Sequence, residues 1–148
     1  TELAAAKAAV VLDPLVNLPA SFDALGARLD NAARLQRAGV VVVFSMTGLA
    51  PHFAHKVRQS AGNAVAHGMP WDAALAGLTA NPAAVFGLGA SRGRIETGMV
   101  ADLVLWNGDP LEVTSAADQV WVGGKPMSMR SRQTELLDRY LPQAARQP

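Results

Sequence analysis

The chain has 148 residues, half of them hydrophobic and 17% charged, enough for one packed domain and too apolar for intrinsic disorder. Thirteen basic against twelve acidic side chains leave a net charge of +1, so charge supplies no footprint for nucleic acid or for an acidic partner. Without a single cysteine, disulfides, thiolate nucleophiles and cysteine zinc sites are all excluded.

Two charge-free stretches, Ala38 to His55 and Ala73 to Ser91, approach the roughly 20 residues of a membrane span. Gly39, Gly48 and Pro51 break the first, and Asn81-Pro82 breaks the second. Both read as core elements joined by turns, and no membrane association is expected. The opening Thr1-Glu2-Leu3 has neither an initiator methionine nor a signal architecture, so the natural N-terminus is expected upstream. A cysteine-free chain is compatible with any compartment.

In chain order, Ala8 to Leu12 is a short apolar run ended by Asp13-Pro14, the pattern of a parallel strand buried on both faces. A helix is expected from Ser21, with Ser21 as N-cap and Asp23 in the first turn. Its apolar stripe is Phe22, Leu25, Leu29, Ala32 and Ala33, with Asp30 and Arg34 paired on the opposite side. Gly39 supplies a left-handed cap, and Val40 to Phe44 is a second buried strand. The unit is βαβ.

A turn-rich loop follows from Ser45 to Pro51, then a helix from about Phe53 to His67, stopped by Gly68. Pro70 opens a shorter helix. Asn81-Pro82 starts another, with Asn81 as the capping side chain. From Gly93 the pattern changes to strands and turns: Ala101 to Trp106, then Gln119 to Val122, with Gly123-Gly124 closing a hairpin onto Lys125 to Met129. Leu136, Leu137, Tyr140 and Leu141 mark a terminal helix ended by Pro142.

Three pieces stand in order: Thr79-Ala80-Asn81-Pro82-Ala83, Gly93-Arg94-Ile95-Glu96-Thr97-Gly98 and Ala101-Asp102-Leu103-Val104-Leu105-Trp106. Together they resemble the C-terminal signature of the amidohydrolase superfamily. Gly62 to Gly68 and Asp109-Pro110-Leu111-Glu112 are similar to its imidazolonepropionase-like branch. The similarity runs from about Ala8 to Leu141. It implies an α/β fold made of the last strand–helix units of a (β/α)8 barrel, followed by part of a small β-sandwich. Residues 1–92 would be the partial barrel, 93–129 the sandwich segment and 130–148 a terminal helix and tail. A complete barrel takes about 250 residues, so the N-terminal part of the same protein is the expected partner, with homo-oligomerisation beside it.

The resemblance further implies a parent hydrolase of non-peptide C–N bonds in which a divalent, zinc-like metal activates water. The family's His-x-His motif has no match here, and neither do its other barrel ligands. The acid expected just after the last barrel strand would follow Val40 to Phe44. The residues there are Ser45-Met46-Thr47-Gly48, and no Asp or Glu occurs between Asp30 and Asp72. No metal ligand is therefore assigned in this chain. The alternative is a non-catalytic interaction module, or a pseudoenzyme that keeps the fold without the metal site.

Barrel active sites sit at strand C-termini, which makes Ser45, Thr47 and His52 the candidate substrate-contacting residues. His52 and His55 are spaced to share a metal, but no third ligand stands near them; the other reading is of ordinary loop and helix histidines. Asp13, at the same strand end, reads either as a substrate or loop contact or as a turn residue before Pro14. For Asp102 the resemblance implies a structural role, satisfying turn amides, and for Trp106 packing within the sandwich. Core packing is also expected of Trp71, Trp121 and Tyr140.

Overall fold

The computed structural model describes residues 2–16, 18–19, 21–46 and 51–144. A short helix α1 (Glu2–Ala5) precedes strand β1 (Ala9–Leu12). Helix α2 (Asn31–Arg37) then leads into β2 (Val41–Phe44). The two strands are parallel and in register, Ala9 beside Val41 through to Leu12 beside Phe44. That is the expected βαβ unit, in which a parallel pair requires a crossover.

The crossover helix is shorter than its apolar stripe predicts. Phe22–Ala24 forms only a 3-10 turn, and regular helix begins at Asn31. Ser21 makes no side-chain cap bond. Phe22 is 92% and Leu25 68% exposed, so burial does not offset the conformational cost of Gly26 inside a helix. Asp30 pairs with Arg28, not with Arg34 as the helical spacing suggests. Only the Ala32-Ala33 end of the stripe reaches the core.

After β2, a 3-10 segment at Pro51–Lys56 runs into α3 (Val57–Ala66), followed by α4 (Trp71–Leu78) and α5 (Ala80–Val85). Gly39 and Gly68 adopt positive φ at the ends of α2 and α3, the left-handed conformation for which glycine carries no Cβ penalty. The core joins Leu12, Val42 and Phe44 to Ala32, Ala33, Ala61, Ala64, Met69 and Ala74. Small helix residues let α4 approach the sheet closely: a Cβ on Gly77 would lie 2.8 Å from the Phe44 ring.

The expectation of strands covered on both faces holds for most of β2 and fails for β1. Val10, Leu12, Val42 and Phe44 face the helices, and Val43 on the opposite face is buried as well, whereas Val11 and Val41 are exposed. The sheet has two strands among the described residues, and α2, α3 and α4 gather on one side of it. Asn81 is corrected as well. It lies inside α5, and its amide Nδ2 donates to the Val42 carbonyl at 2.8 Å instead of capping the helix.

Beyond Gly93 a three-stranded antiparallel sheet forms from β3 (Leu103–Trp106), β4 (Ala117–Val122) and β5 (Lys125–Pro126). Gly123 and Gly124, both at positive φ, make the β4–β5 turn. Asp102 accepts from the Gly123 amide at 2.7 Å and pairs with Arg92, the turn-holding role expected of it. Helix α6 (Arg132–Ala144) continues past Pro142. Its first turn is held by reciprocal bonds between Ser131 and Thr134, in the manner of a capping box. Leu136, Leu137, Tyr140 and Leu141 are exposed on it.

Candidate functional site

The C-terminal ends of β1 and β2 meet at Asp13 and Ser45. The Ser45 amide donates to the Leu12 carbonyl at 3.0 Å and carries the ladder one residue past β2. Ser45 is half-buried at this rim. Thr47 and the His52 side chain lie outside the described residues. The His52 backbone belongs to the 3-10 segment Pro51–Lys56, which returns the chain to α3.

Asp13 is 4% exposed. Its Oδ1 accepts from the Leu15 amide at 3.0 Å and from the Ser60 hydroxyl at 3.5 Å. The first bond is the Asx-turn geometry that favours Asp at a strand exit. The second ties the turn to α3, where Ser60 is fully buried. Of the two readings left by the sequence, Asp13 is the turn residue, with an added anchor to a helix that is remote in sequence. A buried carboxylate needs such partners to offset its desolvation.

His55 is exposed and His67 is the exposed C-cap of α3. Among the described residues no group of three or more His, Asp or Glu side chains could hold a metal. The rim carboxylate is turned towards Leu15 and Ser60. The donor set described does not fit a catalytic metal, which needs three protein ligands and one open position.

Sequence reasoning missed a second constellation, built around the loop between β3 and β4. Arg58, on the first turn of α3, donates to the carbonyls of Pro110, Glu112 and Ser115. Its guanidinium lies 4.9 Å from the centroid of the Trp106 ring. Trp106 is thus a face for a cation, not only a packing residue of the sheet. Trp71 is likewise no core residue: it is half-exposed and its indole N–H donates to both Asp109 carboxylate oxygens at 3.0 and 2.9 Å. The available signal was the motif Asp109-Pro110-Leu111-Glu112, whose docking surface lies about fifty residues earlier in the chain.

Residues 17–127 match the amidohydrolase family. Over 58 residues the chain is 47% identical to Amidohydrolase tasK of Hapsidospora irregularis, a match covering 39% of this chain and 6% of that protein. The crystal structure of an amidohydrolase from Thermotoga maritima aligns with a TM-score of 0.76 at 29% identity, over 87% of this chain. A second amidohydrolase crystal structure aligns at 0.55 with 23% identity, over 74% of this chain and 28% of its own, a likeness of fold alone. The chain spans a third of the Thermotoga structure, 33% of its length. With its parallel strand pair, its helical layer and three quarters of its sequence matched, the chain belongs to the amidohydrolase family.

Proposed function

We propose that this chain is the closing part of an amidohydrolase barrel and part of the adjoining β-sandwich, in a protein that hydrolyses C–N bonds other than peptide bonds. The observation that carries the reading is the parallel β1–β2 pair with its rim at Asp13 and Ser45, in a chain that aligns with a solved amidohydrolase at a TM-score of 0.76. On this reading residues 1–92 supply barrel strands and helices, 93–129 supply sandwich strands, and 130–148 form a terminal helix and tail.

Ser45, Thr47 and His52 then line the substrate end of the barrel. Serine and threonine hydroxyls and a neutral imidazole can each orient a polar substrate by hydrogen bonding. Asp13 holds the rim in shape through Leu15 and Ser60 and does not reach substrate. A divalent, zinc-like metal, if the whole protein carries one, is ligated by residues other than those described. The exposed side chains of Val11 and Val41 are covered by the remaining strands of such a barrel, and homo-oligomerisation is a further expectation.

A second reading has its own support. The segment after Phe44 lacks the acid that the family resemblance implies, which favours a pseudoenzyme or an interaction module that retains the fold. The experiment that separates the readings uses the protein encoded by the complete gene. Metal content after dialysis is measured together with turnover of cyclic amides, N-acyl amines and ureido compounds. Retained metal with turnover lost on chelation supports the hydrolase. A folded protein with neither metal nor turnover supports the pseudoenzyme.

A further inference from the structure

We infer that the β3–β4 loop from Asp109 to Ser115 is a latch held closed by the Arg58 guanidinium, which fastens the antiparallel sheet to the first turn of α3. The inference stands independently of the hydrolase reading. Its first support is convergence. The Arg58 Nη1 donates to the Pro110 carbonyl at 3.0 Å and to the Glu112 carbonyl at 2.5 Å, while Nη2 donates to the Ser115 carbonyl at 2.9 Å. Three main-chain oxygens from one loop thus surround one cation. The Trp106 face completes the cage at 4.9 Å. A planar fork of donors suits such a set of carbonyls, and a single ammonium does not.

Helix electrostatics supply the second support. Arg58 occupies the first turn of α3, which has no acidic residue. A cation there opposes the positive end of the helix dipole, so the residue is not placed for the helix. The negative ends of three carbonyl dipoles offset that repulsion.

The third is the shape of the receiving face. Gly62 lies one turn beyond Arg58 on the same face of α3. A Cβ at Gly62 would come within 2.4 Å of the Leu111 carbonyl oxygen, so the missing side chain is what admits the loop. Between the polar anchors, Leu111 is buried in the core cluster with Ala61 and Ala64, while Val113 is exposed. The latch therefore has one apolar pin, one guanidinium lock and a flanking Trp71–Asp109 bond. Because Arg58 lies two residues after the segment Pro51–Lys56, with only Val57 between, the lock also fixes the start of α3 that this segment leads into.

The test is amide hydrogen exchange on the full chain. The reporters are the Glu112 and Ser115 amides, which donate to the carbonyls of Asp109 and Glu112. In Arg58→Ala their exchange is expected to rise about ten- to a hundredfold, the equivalent of losing hydrogen bonds to a charged donor. Amides of α4 should keep their protection. Arg58→Lys keeps the charge and the aliphatic stem, and serves if the alanine variant folds poorly; it should show an intermediate rise. Millimolar methylguanidinium should slow exchange in Arg58→Ala, and methylammonium should not. Reporter amides that exchange at the wild-type rate in both variants would overturn the latch. So would equal rescue by the two cations, because the cage would then not be selective for a guanidinium.

Discussion

The side-chain amide of Asn81 donates to the main-chain carbonyl of Val42 at 2.8 Å, joining α5 to the middle of β2. Val42 is 1% exposed, so this carbonyl sits where water does not readily replace a lost donor. Asn81→Ala is expected to cost about 1–3 kcal/mol, the penalty for stranding a buried acceptor. Asn81→Asp should cost more, because a carboxylate oxygen would face the carbonyl. Urea unfolding midpoints rank the three proteins; an aspartate variant as stable as wild type would remove the bond from the account.

Gly62 gives a test of sign. Alanine replacing glycine inside a helix normally stabilises by about 0.5–1 kcal/mol. Here the added Cβ would meet the Leu111 carbonyl oxygen, and overpacking of that kind costs about 1–3 kcal/mol. Gly62→Ala should therefore lower stability, and thermal unfolding reads the direction.

Leu111 and Val113 are two residues apart on the same loop and should respond very differently. Leu111 is 5% exposed within the core cluster. Leu111→Ala is expected to cost about 2–5 kcal/mol through lost burial and a residual cavity. Val113 is exposed, and Val113→Ala should stay within about 0.5 kcal/mol. Chemical denaturation of the pair checks whether the loop is pinned by one side chain.

The Asp30 carboxyl is held below the usual carboxylate range, first by its hydrogen bond from Arg28. A depressed folded-state pKa means stability that is present above the unfolded value of about 3.9 and lost as pH falls through the lower folded value. Both partners are exposed, so the effect is small and screened by salt. Asp30→Asn should flatten the acid-side slope of stability against pH slightly at low ionic strength, with no difference from wild type at high salt.

The isolated chain is expected to self-associate. Strands β1 and β2 pair with each other among the described residues, which leaves an open edge on each, and Val11 and Val41 are exposed on the face turned away from the helices, where Val43 is buried. Unpaired edges beside apolar surface recruit further strands. Light scattering against concentration should show growth in mass, reduced by Val11→Lys. A concentration-independent monomer would count against it.

Local sequence rules determined much of this protein. The apolar runs ending at Leu12 and Phe44 specify strands, and a helical spacing between them specifies a parallel crossover, because chain direction follows from connection length. Gly39 and Gly68 as helix stops, and Gly123-Gly124 as a hairpin turn, were legible because a positive φ is a property of one residue. The ordered pieces around Asn81, Gly93 and Asp102 pointed to the amidohydrolase family. Tertiary structure decided the rest. Whether the stripe from Phe22 to Ala33 stays helical depends on what covers Phe22, and periodicity does not carry that. Asn81 is a good N-cap by type, yet its amide is used by Val42, a strand carbonyl thirty-nine positions earlier. Arg58 carried no motif at all. Its three acceptors are carbonyl oxygens, which every residue type has, so their convergence is a matter of backbone path and not of sequence.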